Sequence, residues 1–127
     1  MINPQELRIG NWVKIRGQYY VQVMDLIGLR WFSYMQGQGC DYEDAEPIPL
    51  TPTILEKLGG KAFGDGDYIF EIEKCGIIIW ANDGSIAIGD KSDSLLFATD
   101  AVCKYVHEWQ NLIYSLTKKE LQIDSII

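Results

Sequence analysis

His107 is the only histidine in the chain, and this limits the chemistry that the sequence can support. A catalytic triad or a metal site can use only this one imidazole. On a predicted helix, His107 lies with Gln110, Asn111 and Tyr114 in a polar strip beside an apolar stripe. The strip is interpreted either as a contact for a ligand or partner, or as hydrogen-bonding groups that hold the helix on a sheet. Because buried polar groups are usually hydrogen-bonded, the second interpretation is favoured.

Three other polar segments have spacings that invite a chemical interpretation. Asp65-Gly66-Asp67 lacks the repeated ligands of a calcium loop and is predicted to be a turn. The acidic run 41–46 is expected to be a solvated loop. The glycines at 37–39 and 59–60 are not followed by the Gly-Lys-Ser/Thr of a phosphate-binding loop. The sequence therefore predicts no catalytic residue, no metal site and no cofactor, and an enzyme ranks third among the functions considered.

The charge of the chain is strongly acidic and unevenly distributed. The 127 residues carry a net charge of −7, yet residues 1–38 hold four basic and two acidic side chains. Nucleic-acid affinity depends on cations that displace counterions from phosphates, so an acidic chain is disfavoured as a general nucleic-acid binder. The basic start leaves a local alternative, in which Lys14, Arg16 and Arg30 contact phosphates.

The cellular location is predicted from the cysteines and from two missing signals. Cys40, Cys75 and Cys103 are odd in number and lack a C-x-x-C spacing, which favours reduced, mostly buried thiols. No secretory signal is visible at the start, and the longest apolar run, 77–81, is too short to span a membrane. A cytoplasmic protein without membrane contact is expected.

The first fifty residues are predicted to be β structure. Val13 and Ile15 alternate with Lys14 and Arg16, and Gly17 marks a turn before the alternating segment 19–24. A third strand is predicted over 29–34 and an extended segment over 46–50. Short strands with hairpin-length links favour a small SH3-like barrel or a curled meander over residues 1–50.

Residues 51–127 are predicted to form an α+β subdomain. Thr51 and Pro52 are typical of a helix start, and Gly59-Gly60 of its end. A second antiparallel β region follows, with a central strand over 77–80, a hairpin turn at 82–84 and a short edge strand over 95–97. A C-terminal amphipathic helix, starting near Asp100, is expected to pack on this second region. Its apolar stripe is Val102, Tyr105, Val106, Trp109, Leu112, Ile113 and Leu116. Whether residues 121–127 add a strand is left open.

Three sequence patterns in order resemble those of a known group of proteins. They are Glu6-Leu7-Arg8-Ile9-Gly10-Asn11, Glu46-Pro47-Ile48-Pro49-Leu50-Thr51 and Tyr105-Val106-His107-Glu108-Trp109-Gln110-Asn111-Leu112. The chain resembles an uncharacterised family of small proteins from Bacteroides-type bacteria, often of prophage or mobile-element character. The resemblance spans nearly the whole chain and is weakest over 60–100, and Trp109 stands where the family has an aliphatic residue. It implies no activity.

Two binding functions remain. The first is a non-catalytic interaction or accessory module that presents aromatic side chains to a protein partner; these are Trp12, Tyr19, Tyr20, Trp31 and Tyr34. The second is nucleic-acid contact, in which the same aromatics stack on bases beside Lys14, Arg16 and Arg30. The net charge favours the protein partner, and the oligomeric state is left open.

Overall fold

The computed structural model of the chain describes residues 6–17, 19–27, 31–72, 76–89 and 96–118. These residues confirm the α+β prediction, and every strand pair among them is antiparallel. They fall into two compact units. The first contains the described residues up to Pro49 and those from Tyr105 onward, and the second runs from Leu50 to Lys104.

Six strands build two three-stranded sheets in the first unit. They are β1 (Trp12–Ile15), β2 (Tyr19–Gln22), β3 (Asp25–Ile27), β4 (Trp31–Met35), β5 (Gln38–Asp41) and β6 (Ala45–Glu46). One sheet has the order β2-β1-β6 and the other β3-β4-β5, and a short 3-10 turn, Tyr42–Asp44, joins β5 to β6. The acidic run 41–46, expected to be a loop, thus contains parts of two strands.

The prediction of an SH3-like barrel is wrong. No sheet in the described part of the chain closes on itself, because β2 and β3 each lie at the edge of a different sheet. The continuous segment 19–27 changes sheets in the middle. Val23 donates its backbone N–H to Asn11, on the β1 side, and Met24 donates its own to Ser33 in β4. The two sheets therefore meet at this point instead of pairing along a full barrel seam.

The alternation in the first strand produces the core of this unit. Val13 and Ile15 are buried, whereas Trp12 and Lys14 on the opposite face are half-buried. Successive side chains of a strand point to opposite faces, so one apolar set faces inward. The core consists of Leu7, Val13, Ile15, Val23, Phe32, Cys40, Tyr42 and Ala45.

The C-terminal helix, α2 (Val106–Thr117), belongs to this first unit and contacts β1. The helix was expected instead to pack on the second β region, within residues 51–127. The start of the helix explains the difference. Val106 donates its backbone N–H to the carbonyl of Ile48, and Pro49 forms a β-bridge with Tyr105, so the helix begins beside the end of the first unit's strands.

The helix also begins later than predicted. Tyr105 is the N-cap residue, and its backbone N–H donates to Oε1 of Glu108 at 3.1 Å. Asp100, predicted to lie near the start of the helix, lies instead in strand β11 (Leu96–Val102). Of the predicted apolar stripe, Val106, Trp109 and Ile113 are buried, while Tyr105, Leu112 and Leu116 are half-buried. Val102, its predicted first residue, is exposed and lies in β11 instead of the helix.

The second unit contains a short helix and a five-stranded sheet. The helix, α1 (Pro52–Lys57), starts as predicted, with Oγ1 of Thr51 accepting from the backbone N–H of Ile54 at 3.3 Å. The remaining strands are β7 (Lys61–Phe63), β8 (Asp67–Ile72), β9 (Gly76–Trp80) and β10 (Ser85–Gly89). With β11 they form a sheet of order β11-β10-β9-β8-β7.

The central strand and the hairpin turn of this sheet were predicted correctly. β9 occupies the middle position, and the turn 82–84 joins it to β10 with Gly84 at a φ of +92°. Strand β7 was not predicted, and β11, predicted as a short edge strand over 95–97, runs to Val102. Cys75 and the tail 121–127 lie outside the described residues.

Candidate functional site

An open groove of about 540 Å³ lies along strand β2 in the first unit. All four residues of β2 line it, so the groove follows the whole edge strand. The end of β4 and the start of β5 form the other wall. The lining residues are Trp12, Ile15, Tyr19, Tyr20, Val21, Gln22, Tyr34, Met35 and Gln38.

The groove lies between β2 and β4, next to the point where the segment after β2 begins to pair with β4. Met24 donates to the carbonyl of Ser33 at 2.7 Å, which joins the segment after β2 to β4. Beyond this bond the register between β4 and β5 shifts at Tyr34, and Tyr34 and Met35 line the wall opposite β2. A register shift bends a strand and increases its twist. Strands β2 and β4 therefore diverge from the Met24–Ser33 bond, and the space between them is the groove.

The backbone of β2 presents unpaired groups on its groove side. In an antiparallel ladder, alternate residues point their N–H and C=O groups to opposite sides of the strand. Val23 donates its backbone N–H to Asn11, on the β1 side. The backbone N–H and C=O groups of Tyr19 and Val21 therefore also point toward β1. Met24 bonds to Ser33 on the other side. Tyr20 and Gln22 therefore point their backbone groups away from β1, where β2 has no neighbouring strand in the described sheets.

The described residues that line the groove are uncharged, and several of them carry hydrogen-bonding groups. Three are tyrosines and two are glutamines. The indole Nε1 of Trp12 is buried and has no hydrogen-bond partner among the described residues. An unsatisfied buried donor costs about 1–3 kcal/mol. A bound acceptor that reaches this nitrogen would remove that cost.

Four of the five predicted aromatic contact residues line this groove together. Trp12 comes from β1, Tyr19 and Tyr20 from β2, and Tyr34 from β4. Trp31, the fifth, does not line it. Its side chain is 50% exposed in β4, where Trp31 pairs with Asp41, and its ring lies next to Gly39 of β5.

The polar strip of α2 makes specific contacts with the segment before β1. The Gln110 side chain, fully buried, accepts from the backbone N–H of Trp12 at 2.7 Å through Oε1 and donates to the carbonyl of Gly10 at 2.9 Å through Nε2. Oδ1 of Asn111 accepts from Nδ2 of Asn11 at 3.0 Å and from Nε of Arg8 at 2.7 Å. These bonds position Trp12, one of the groove residues.

The other two residues of the strip also contact this segment. The guanidinium of Arg8 lies 4.4 Å from the ring centre of Tyr114. Nε2 of His107 lies 3.3 Å from Oε2 of Glu6, while the imidazole itself is buried and its Nδ1 has no partner among the described residues. The strip therefore connects the helix to residues 6–12 and does not line the groove.

The predicted nucleic-acid cations are not arranged as expected. Arg16 lies outside β1 in the following turn, with a φ of +52°, whereas the sequence analysis placed it on one strand face with Lys14. Lys14 is half-buried and pairs in register with Glu46 of β6. Neither side chain lines the groove, and Arg30 lies outside the described residues.

Several groove residues were not predicted from the sequence. Ile15 and Val21 match ordinary strand residues, and Met35 and Gln38 match the end of a strand. The alternation placed Tyr19 and Val21 on one face of β2 and did not indicate that both faces border the groove. The one indication in the sequence is Gln22, which lies two positions from Tyr20 on the other face.

Two of the three cysteines are described, and both are buried. Burial raises the pKa of the Cys40 thiol above its ordinary value, and the nearby carboxylate of Asp44 raises it further. The thiolate is the reactive form, so both burial and a raised pKa slow alkylation. In a Cys75→Ser variant, we expect iodoacetamide to modify the native protein far more slowly than the urea-unfolded protein. Equal rates for the native and unfolded chains would contradict the buried positions of Cys40 and Cys103.

The described residues contain no group of three or more His, Cys, Asp or Glu side chains placed to hold a metal ion. Among those same residues, no helix has the length and apolarity needed to cross a membrane. Comparisons with protein-family models, curated proteins and solved structures find no match to this chain. The family resemblance based on the three sequence patterns therefore stays a prediction.

Proposed function

We propose that this protein is a non-catalytic interaction module that binds a segment of a protein partner in the groove along β2. The observation that supports the proposal is the convergence of Trp12, Tyr19, Tyr20 and Tyr34 on one open groove with a buried, unpartnered indole N–H. Aromatic side chains provide large contact areas at low conformational cost and are enriched in the centres of interfaces. A peptide carbonyl is a suitable acceptor for the Trp12 indole.

The charges near the groove favour a peptide over a nucleic acid. A bound nucleic acid needs cations placed along its phosphates, whereas the lining residues that the structure describes are uncharged and Lys14 pairs in register with Glu46. The cytoplasmic location and the membership of a mobile-element family are parts of the same proposal. The free thiol of Cys40 supports the location, because reducing compartments keep cysteines unpaired.

Site-specific photocrosslinking in the native cells tests this proposal. A benzophenone amino acid replaces Tyr19, which lines the groove and is 58% exposed. The matched control places the same group at Phe63, which is 50% exposed and lies in the second unit. We expect the Tyr19 position to give a discrete crosslinked product that is sensitive to protease and resistant to nuclease. Equal products from both positions, or a nuclease-sensitive product, would argue against the proposal.

A further inference from the structure

We propose that the partner segment binds as an additional β-strand, hydrogen-bonded to the edge of β2 that has no neighbouring strand in the described sheets. This inference rests on the proposed function, because it specifies how the groove holds its peptide. The segment we expect has an uncharged, partly apolar centre and cationic residues at its ends.

The backbone of β2 supports strand addition independently of the aromatic side chains. Tyr20 and Gln22 point their N–H and C=O groups away from β1, on the side where Met24 already bonds to Ser33. The residue that follows β1 agrees with this assignment. Arg16, on the opposite phase from Val13 and Ile15, donates its N–H to Asp44 on the β6 side. An extended peptide beside β2 can thus pair with two residues, continuing the sheet of β2, β1 and β6.

The groove is the space that such a strand would occupy. Neighbouring strands lie about 4.8 Å apart, so the first layer of volume beside β2 belongs to the backbone of the added strand. Side chains from Tyr34 and Met35 border the far side, and Gln38 contributes an amide there. In peptide recognition by strand addition, main-chain bonds provide affinity and the bordering pockets select alternate side chains.

The charges define the chemistry of the segment. The described lining residues include no charged side chain to pair with one buried from the peptide, and burying an unpaired charge is costly, so the central residues should be uncharged. In the described part of this unit as a whole, acidic side chains outnumber basic ones: Glu6, Asp25, Asp41, Glu43, Asp44, Glu46 and Glu108 against Arg8, Lys14, Arg16 and Lys118. Complementary potentials therefore favour Lys or Arg at the ends of the segment.

Selection from a displayed library of random twelve-residue peptides on the purified full-length chain tests this inference. We expect enriched peptides to alternate apolar and polar residues, to carry Lys or Arg near the ends and to lack proline in the centre. Two variants separate the edge from the rest of β2. Gln22→Pro removes the outward N–H at a position where an edge strand tolerates proline, whereas Gln22→Ala keeps that N–H. The best peptide should bind Gln22→Pro about tenfold more weakly than Gln22→Ala.

A second pair of variants separates failure of strand addition from failure of the groove itself. Met35 and Met24 are both 54% exposed, but only Met35 lines the groove. Binding that is lost in Met35→Glu and kept in Met24→Glu, Gln22→Ala and Gln22→Pro would overturn strand addition and leave groove binding standing. Enriched peptides that bind Met35→Glu as well as the parent would overturn both, as would a selection that enriches no peptide.

The peptide backbone gives a test that does not depend on the folding of Gln22→Pro. N-methylation of the selected peptide, one residue at a time, blocks each of its N–H groups while the protein stays unchanged. Because a strand presents alternate N–H groups to its neighbour, we expect every second methylation to weaken binding and the others to have little effect. An effect without alternation, or enriched peptides rich in central proline, would overturn the inference.

Discussion

Replacing Trp109 with alanine is expected to lower the free energy of unfolding by about 3–5 kcal/mol, the largest loss that we expect from any single change in α2. Trp109 is only 1% exposed and is among the largest fully buried side chains of the described chain. The truncation removes the transfer free energy of the indole and leaves a cavity that the surrounding side chains fill only in part. Urea unfolding followed by far-ultraviolet circular dichroism measures the difference.

Leu112→Ala is the matched control for this change. Leu112 lies on the same helix but is only half-buried, so its truncation should cost clearly less than that of Trp109. The seven-residue apolar stripe predicted equal burial for both. If Leu112→Ala destabilises the protein as much as Trp109→Ala, or if Trp109→Ala changes the unfolding free energy by only a few tenths of a kcal/mol, the helix packs differently from the structure.

The helical period predicted the existence of α2 but only part of its buried face. Val106, Trp109 and Ile113 are buried as their spacing indicates, and so are the polar residues His107 and Gln110. Periodicity ranks a face by its apolar residues and therefore misses a face that packs against backbone polar groups. Gln110 is buried because its amide forms hydrogen bonds with the backbone of Gly10 and Trp12. These two residues lie about a hundred positions earlier in the chain.

The start of the helix shows how tertiary pairing overrides local signals. Asp100 is a favourable N-cap residue, yet it lies in β11, which pairs with β10. The helix begins at Val106, directly after Tyr105, which forms a β-bridge with Pro49. In contrast, the start of α1 at Thr51 and Pro52 was predictable, because capping depends on residues within one turn.

The groove has the same division between local and long-range information. Alternation in 19–24 predicted a strand, and aromatic enrichment suggested an interface. The groove itself depends on the change of sheet between Val23 and Met24 and on the register shift near Tyr34. Both features arise from pairing with distant strands, and neither leaves a pattern in the local sequence. Trp31 illustrates the consequence, since it has the expected residue type but lies outside the groove.

Gln110→Met is expected to lower the free energy of unfolding by about 2–4 kcal/mol, although methionine has nearly the same length and is apolar. The side chain of Gln110 is fully buried, so the change leaves the Trp12 backbone N–H without its acceptor and away from water. It also removes one of the two donors to the carbonyl of Gly10. Because Trp12 lines the groove, the affinity for a selected groove peptide should fall together with the stability.

The Gly10 carbonyl allows a sharper test of the same network. It accepts from Nε2 of Gln22 as well as from Nε2 of Gln110, both at 2.9 Å. In the parent protein, Gln22→Ala should cost little, because Gln22 is exposed and Gln110 still satisfies the carbonyl. In the Gln110→Met background, the same change removes the last side-chain donor and should cost about 1 kcal/mol more than in the parent. A double-mutant cycle by urea unfolding measures this coupling, and strictly additive effects would show that the two amides do not share the Gly10 carbonyl.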